Sequence, residues 1–301
     1  MRSWVILLFV CLGTACKSPE AALRPASSRV AGTFAYLAEK DGYWQVWIVR
    51  EDGESGRLLT HSPVDKTRLS WAPSGKSLLV NTQTGHLLHV DAISGEEIAL
   101  DFPMKGMLDA VLSPDGKRIA FSYTTSDSPD ANELWVSDLD GSHARPLTRR
   151  ARLQHSPTWD PNDGAWIYYS SGLGPGKGYD VWRIRPDGSG DQRLSFEGAY
   201  RLDTTVARDG TLAYSGNDQG AYDLWLKPVG KPPLALTQDP ALDASPSFSP
   251  DGSKLLFEST RSGVLNVWMI PTRGGEPVQV TGHGAPGARM PVYAPSRRAA
   301  P

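Results

Sequence analysis

The sequence predicts an all-β fold, a six-bladed β-propeller in which each blade is a four-stranded antiparallel sheet. Three observations support this prediction. A Pro–Gly turn signal recurs at intervals of 41 to 47 residues, and an aliphatic–Trp pair recurs once in almost every interval. Between them lie short apolar runs separated by Gly, Asp and Ser. A period in this range, made of short strands and turns, is typical of propeller blades.

Each unit begins with a short strand that ends in a large apolar residue and leads into the turn. The turn is clearest at residues 113–117 and 249–253, which read Ser-Pro-Asp-Gly followed by Lys or Ser. Proline fixes φ and glycine accepts a positive φ, so this turn joins two antiparallel strands. We interpret Asp115, Asp209 and Asp251 as turn formers that bond to their own backbone, not as catalytic acids.

The rest of each unit follows a fixed order. The second strand is apolar, the third carries the aliphatic–Trp pair, and a Gly-containing turn leads to a short fourth strand such as the one that ends at Leu147 and Thr148. Each unit has one residue at the Trp position of its third strand, which gives six units: Trp47, Leu88, Trp135, Trp182, Trp225 and Trp268. We interpret these rings as packing between neighbouring blades, not as ligand-stacking groups.

The two ends of the repeat complement each other. Residues 33–60 supply only the last three strands of the first unit, whereas residues 289–293 supply an opening strand with nothing after it. Pairing between them closes the ring and leaves no exposed sheet edge. We therefore predict a single propeller over residues 33–296, followed by a disordered tail at residues 297–301.

The N-terminus predicts export. Residues 1–15 have a basic start, an apolar run from Trp4 to Leu12 and a small-residue zone, as a signal peptide does, and the run is too short to span a bilayer. The segment that ends at Cys16 resembles a bacterial lipobox, although Gly13 stands where Leu is usual. Lipidation at Cys16 is therefore predicted, and cleavage after Ala15 by ordinary signal peptidase is the alternative.

The segment after the predicted signal peptide is predicted to be a tether. Residues 16–32 are rich in Ser, Ala and Pro, which predicts a flexible connection between Cys16 and the propeller. Lys17 stands where an Asp commonly retains such proteins at the inner membrane. We therefore predict an outer-membrane lipoprotein that faces the periplasm, and a soluble periplasmic or secreted protein is the alternative.

Composition limits the chemistry. Cys11 and Cys16 are the two cysteines, both in the export signal, so the body has no disulfide, thiol nucleophile or Cys-based metal site. The 33 acidic and 31 basic residues nearly balance, and nothing indicates a nucleic-acid partner. A local cluster of Arg149, Arg150 and Arg152 is interpreted as a solvated loop.

The repeated turns and strands resemble those of the TolB-like propellers, whose blades carry an aromatic-Ser-Pro-Asp-Gly turn followed by Leu-Trp and Leu-Thr strands. The likeness covers residues 33 to about 296 and is strongest over residues 248–281. It implies an exported propeller that binds a protein in the cell envelope. TolB has an α/β domain ahead of its propeller for which we see no room here, so a Tol–Pal role is not implied. Similar blades occur in oligopeptidases and in some sugar lyases.

Aligning the units on the apolar end of each opening strand gives a candidate site at one mouth of the central channel. Three positions before that end lies a column that we call the mouth column: Arg68, Asp109, Ser156, Asp203, Ser245 and Met290. Charged residues adjoin it, and the predicted ligand-binding set is Arg68, Asp109, His155, Arg201, Asp203, Asp243 and Arg289. Alternatively, these side chains form salt bridges between blades and line a water-filled channel.

The sequence gives little support for catalysis. There is no Gly-x-Ser-x-Gly elbow. His61, His155 and His283 lie in or beside mouth loops but on opposite sides of the ring, and three imidazoles bind one metal only when all reach it at about 2 Å. We therefore predict no metal and no cofactor. The glycine-rich run at residues 172–178 lacks a Ser or Thr after Lys177 and a following helix, so it is interpreted as a hairpin loop.

These observations favour a non-enzymatic, monomeric binding scaffold anchored to the envelope, with an envelope protein as its partner. The alternative is a propeller enzyme, such as a polysaccharide or oligosaccharide lyase or hydrolase, in which His155, Arg201 and Arg289 handle a carboxylate-bearing sugar. Several His side chains, or an acid with a base, meeting at the mouth would favour the enzyme. Dispersed salt bridges would favour the scaffold.

Overall fold

The computed structural model describes residues 32–51, 56–125, 131–150, 152–174, 177–194, 200–217, 220–282 and 287–296. These residues form six four-stranded antiparallel sheets, and no helix occurs among them. The part of the chain described here therefore contains no helix that could cross a bilayer. The predicted signal peptide, the tail and nearly all of the tether lie outside the described residues.

The sheets follow one another along the chain as the repeat predicts. Blade 1 contains β1 (Thr33–Lys40), β2 (Tyr43–Arg50), β3 (Arg57–Leu58) and, as its innermost strand, the last strand of the chain. Blade 2 contains β4 (Lys66–Trp71), β5 (Ser77–Thr82), β6 (Leu87–Asp91) and β7 (Glu97–Ala99). Blade 3 contains β8 (Leu108–Leu112), β9 (Arg118–Tyr123), β10 (Glu133–Asp138) and β11 (Arg145–Pro146).

The second half of the ring has the same order. Blade 4 contains β12 (Gln154–Trp159), β13 (Ile167–Gly172), β14 (Tyr179–Ile184) and β15 (Gln192–Arg193). Blade 5 contains β16 (Arg201–Val206), β17 (Leu212–Gly216), β18 (Asp223–Lys227) and β19 (Leu234–Ala235). Blade 6 contains β20 (Asp243–Phe248), β21 (Lys254–Ser259), β22 (Asn266–Pro271) and β23 (Val278–Gln279), and β24 (Ala288–Tyr293) returns to blade 1. First strands of neighbouring blades contact one another around the ring, so the predicted six-bladed propeller is confirmed.

The C-terminal strand closes the ring as predicted. β24 pairs antiparallel with β1, placing Tyr293 opposite Phe34 and Ala288 opposite Ala38. The rings of Phe34 and Tyr293 meet edge to face with centroids 6.2 Å apart. This pairing covers the inner edge of β1, so the edge is not available to another chain.

The propeller has two faces, because successive antiparallel strands place their connections on alternate sides. The turn face carries the Pro–Gly turns after each first strand and the Gly turns after each third strand. The mouth face carries the hairpins between second and third strands and the loops that enter each innermost strand. Gly32 lies on the turn face, where its carbonyl oxygen accepts a hydrogen bond from the Glu51 amide at 2.9 Å.

The turn aspartates cap their own turns, as the sequence predicts. The Ser113 hydroxyl and the Lys117 amide donate to Oδ1 of Asp115 at 2.5 and 3.0 Å. Asp251 accepts equivalent bonds from Ser249 and Ser253, and these hydrogen bonds lower the pKa of Asp251 to about 2. The amide of Thr211 donates to Asp209 at 2.9 Å. Each carboxylate thus stabilises a turn.

The Trp column belongs to the packing of the blades. Trp47, Trp135, Trp182 and Trp268 pack against buried apolar clusters. In five blades the Trp stands opposite an aromatic ring of the second strand, as Trp135 does opposite Phe121. Blade 2 has two aliphatic residues at this pair, Leu88 and Val80. Each buried ring contributes about 2 kcal/mol or more to stability.

Candidate functional site

The innermost strands enclose a channel of about 370 Å³. At the mouth face it is lined by Arg68, Asp203 and Met290, and at the turn face by prolines such as Pro73 and Pro161. The channel therefore opens towards the side chains of the mouth column.

The mouth column has an unusual backbone that the sequence analysis did not predict. Five of its six residues have φ between 52° and 56°, in the left-handed region: Asp109, Ser156, Asp203, Ser245 and Met290. The register between first and second strands shifts at these positions. Residues without glycine's freedom adopt this conformation only where the surroundings hold them there. The irregularity separates the residues next to it into two groups.

The residues two positions before the mouth column point between the blades. All six are at most 3% exposed: Lys66, Met107, Gln154, Arg201, Asp243 and Ala288. The residues one position before it, which include His155 and Arg289, are instead partly exposed. Two of the predicted ligand-binding residues, Arg201 and Asp243, are thus buried beneath the surface of the mouth.

Arg201 and Asp243 both take part in ion pairs. Nη1 of Arg201 donates to Oδ1 of Asp180 at 3.1 Å, and Arg193 also pairs with Asp180. Oδ2 of Asp243 accepts a bond from Nη2 of Arg261 at 2.6 Å. The Arg201–Asp180 pair joins blades 5 and 4, whereas Asp243 and Arg261 both belong to blade 6. Since Arg201 and Asp243 are 3% and 0% exposed, neither side chain presents its charge at the surface of the mouth.

Lys66, two positions before Arg68, makes an equivalent contact between blades 1 and 2. Its Nζ donates to Oε1 of Gln45 at 2.7 Å and to the carbonyl oxygen of Ser62 at 2.8 Å. Burial lowers the pKa of Lys66, and the nearby Glu97 carboxylate opposes that shift. Lys66 therefore joins two blades below the mouth.

Four of the predicted residues do come together at the mouth. The amide of Ser156 donates to Oδ2 of Asp109 at 3.0 Å, and its hydroxyl donates to Oδ1 of Asp203 at 3.1 Å. Burial lowers the pKa of the neighbouring His155, while the negative charges of Asp109 and Asp203 raise it and the positive charge of Arg68 lowers it. The mouth thus has two carboxylates beside an imidazole that is neutral at neutral pH.

Three tyrosines extend this group, and the sequence analysis missed them. The rings of His155 and Tyr179 meet edge to face at 4.8 Å, and Tyr200 follows Tyr179 at 5.9 Å. Burial raises the pKa of Tyr222, and Tyr200 and Asp203 add to the rise. We call His155, Tyr179, Tyr200 and Tyr222 the aromatic wall. A signal existed, because Tyr179 and Tyr222, like Trp44, stand three residues before the blade's Trp.

Arg289 lies on the other side of the mouth. Its guanidinium stacks over the ring of Trp44, 3.7 Å from the centroid. Oε2 of the neighbouring Glu258 accepts a bond from the Met290 amide at 2.8 Å, and burial raises the pKa of Glu258. Among the described residues, which do not include His283, no three His, Cys, Asp or Glu side chains are placed to hold a metal ion.

Exposed apolar side chains surround the mouth. Six large ones, 37 to 56% exposed, lie on the mouth face: Tyr43, Leu108, Leu153, Tyr200, Leu242 and Val264. On the turn face the described residues include three: Ile93, Leu139 and Val229. The mouth face therefore combines an apolar rim with a charged and aromatic centre.

The chain is similar to known proteins in both sequence and fold. No protein-family model matches the chain. Over 132 residues it is 30% identical to the Tol-Pal system protein TolB of Anaeromyxobacter dehalogenans, a match that covers 43% of this chain and 30% of TolB. The crystal structure of TolB from Acinetobacter baumannii superposes with a TM-score of 0.77 at 21% identity, covering 88% of this chain and 67% of that one. The chain is a TolB-like six-bladed β-propeller.

Other proteins share parts of this TolB-like propeller. Over 197 residues it is 28% identical to the uncharacterized peptidase YuxL of Bacillus subtilis, covering 65% of this chain and 28% of YuxL. An oligogalacturonate lyase solved in complex with manganese superposes with a TM-score of 0.57 at 15% identity, covering 84% of this chain and 74% of the lyase, which shows the fold alone. The sequence matches cover about three tenths of the length of both TolB and YuxL.

Proposed function

We propose that this TolB-like propeller is a non-enzymatic scaffold of the bacterial envelope that binds a protein partner on its mouth face. The observation that carries the proposal is the apolar rim around a half-buried charged centre. Protein interfaces combine an apolar contact area with a few charged and aromatic anchors, and contiguous exposed apolar surface marks such sites. The similarity to the Tol-Pal system protein TolB supports the proposal.

The residues of the sugar-acting alternative are dispersed. Arg201 is paired with Asp180 between blades, and His155 and Arg289 belong to blades 4 and 1, on opposite sides of the ring. A carboxylate-bearing sugar would therefore not meet all three at once. This dispersion supports the scaffold.

One observation favours the second candidate, an enzyme acting at the mouth, because His155 lies close to Asp109 and Asp203. A carboxylate that orients a neutral imidazole is a common acid–base arrangement. Incubation with uronate-containing and neutral oligosaccharides separates the two functions. Product formation that is lost in His155→Ala would establish the enzyme and overturn the scaffold.

We further propose that the scaffold is a monomer tied to the periplasmic side of the outer membrane through a lipid on Cys16. The export pattern of residues 1–15 and the lipobox-like segment that ends at Cys16 support this proposal. Labelled palmitate should be incorporated by the wild type and not by Cys16→Ser. An unlabelled wild type would support the soluble exported alternative.

The binding proposal is tested by capture of partners from envelope fractions. Replacement of Arg68, Asp109 and Asp203 by alanine should abolish capture, because it removes the charged centre of the mouth. The matched control replaces Arg208, Glu96 and Glu276, which are exposed on the turn face and carry the same set of charges. Equal capture by the mouth variant and the control would overturn the mouth as the binding site.

A further inference from the structure

The side of the mouth formed by blades 3 to 5 has an excess of negative charge, from Asp109 of blade 3 and Asp203 of blade 5. Ser156 donates to one oxygen of Asp109 and one of Asp203. Within the described part of the chain, no Lys, Arg or His nitrogen lies within 4.0 Å of either carboxylate. Both side chains are half-buried. A half-buried carboxylate without a cation favours binding of one from outside.

The aromatic wall gives this side a second property that favours cations. Tyr222 is close enough to Asp203, Tyr200 and Tyr179 for each of them to raise its pKa, and Tyr179 contacts both Tyr200 and His155. The face of an aromatic ring attracts a cation, and a planar guanidinium also stacks on it. The opposite side of the mouth contains an example within the chain, because Arg289 stacks on Trp44.

We propose that the mouth of this propeller recognises an arginine side chain of its protein partner, with the guanidinium between the carboxylate of Asp203 and the aromatic wall. The inference rests on the proposed function and specifies the partner chemistry of the same site. An arginine fits better than a lysine because its planar group can stack on a ring and donate two parallel hydrogen bonds to one carboxylate.

The positive charge of Arg68 weakens the binding of a cation at the proposed site. It lines the channel in blade 2, across the ring from Asp203 in blade 5, and it is close enough to His155 to lower the pKa of that imidazole. A second guanidinium entering the mouth meets this like charge. Replacement of Arg68 by alanine should therefore strengthen binding of an arginine, which distinguishes the proposed arrangement from one in which Arg68 itself binds the ligand.

The experiment uses small probes and needs no partner. Nα-acetyl-arginine amide, its lysine counterpart and its neutral isostere with citrulline are titrated into the propeller, and the Tyr ring resonances are followed by NMR. The arginine probe should bind about five- to thirtyfold more tightly than the citrulline probe. Equal affinity for the two, or tighter binding of lysine than of arginine, would overturn the inference.

Variants locate the site. Asp203→Asn should remove the preference for arginine over citrulline, whereas Asp209→Asn, at the other end of the same channel wall, should retain it. Tyr200→Leu changes an exposed ring and provides a second variant if Asp203→Asn does not fold. An unchanged preference in both Asp203→Asn and Tyr200→Leu would contradict the proposed site, and so would weaker arginine binding by Arg68→Ala.

The test of arginine binding and the test of the proposed scaffold function can fail independently. If partner capture depends on the mouth but the arginine probe shows no preference, the scaffold stands and the arginine inference fails. If the probe binds as expected but capture is insensitive to the mouth, the site is real and the scaffold proposal fails.

Discussion

Arg201 and Asp180 form a buried ion pair between blades 4 and 5, with Nη1 of the guanidinium 3.1 Å from Oδ1 of the carboxylate. The two residues are 3% and 0% exposed. Lys66 and Gln45 form the equivalent contact between blades 1 and 2, and both pairs are separated by 21 residues. At these two junctions the repeat position therefore connects one blade to the next rather than lining the mouth.

Removal of one partner of the Arg201–Asp180 pair should be strongly destabilising. Arg201→Ala should lower the free energy of unfolding by about 3 kcal/mol, the lower end of the cost for a buried ion pair, because Asp180 stays buried and keeps only its pair with Arg193. Chemical denaturation followed by Trp fluorescence measures the change. The double variant Arg201→Met, Asp180→Leu should recover most of the loss, and a double variant less stable than Arg201→Ala would contradict this account.

The left-handed backbone at Met290 predicts a different kind of substitution effect. A β-branched residue is strained at its φ of 54°, whereas asparagine adopts this region readily. Met290→Val should therefore be about 1–2 kcal/mol less stable than Met290→Asn, although valine is the more apolar replacement. Denaturant unfolding of the two variants tests the order. Greater stability of the valine variant would show that packing outweighs backbone strain here.

The capped turn at Asp251 predicts a pH-dependent stability. Its folded-state pKa of about 2 lies below the ordinary value of 3.8, mainly because the Ser249 hydroxyl donates to the carboxylate. A depressed carboxyl pKa contributes stability that is present above the ordinary value and is lost as the pH falls through the folded one. The melting temperature of Asp251→Asn should lie below that of the wild type at about pH 6 and approach it near pH 2.

Ser249→Ala should reproduce most of this effect, since it removes the hydroxyl that contributes most to the shift. A difference in melting temperature between wild type and Asp251→Asn that stays constant over the acid range would mean that the charge of Asp251 contributes nothing to the fold.

The sequence predicted the blades well because each strand and turn is specified locally. The Pro–Gly turn and the aliphatic–Trp pair act within a few residues, and they recur often enough to align the units and to identify β24 as the missing strand of blade 1. The mouth was harder to predict, because there the side-chain direction depends on a local break in the strand. Arg201 and Asp203 stand two residues apart, so ordinary strand alternation would place them on one face, yet Asp203 lines the channel and Arg201 is buried.

That difference follows from the left-handed backbone at Asp203, which the alternating pattern of a regular strand does not anticipate. A complementary pattern was nevertheless present. Asp180 with Arg201, and Gln45 with Lys66, recur at the same spacing across neighbouring units, as an interblade contact would require. The aromatic wall was not anticipated because its rings come from hairpins and loops of different blades, where the repeat fixes position but not residue type.

The apolar rim leads to a prediction that separates the two faces. Leu153→Glu with Leu242→Glu places two charges on the mouth face and should reduce partner capture about tenfold or more, because each carboxylate must be desolvated in the interface. Ile93→Glu with Val229→Glu makes the same chemical change at exposed positions of the turn face and should leave capture unchanged. Melting temperatures should be similar for both variants, since all four side chains lie at the surface, 40 to 80% exposed. Loss of capture in the turn-face variant alone would place the partner on the opposite side of the propeller.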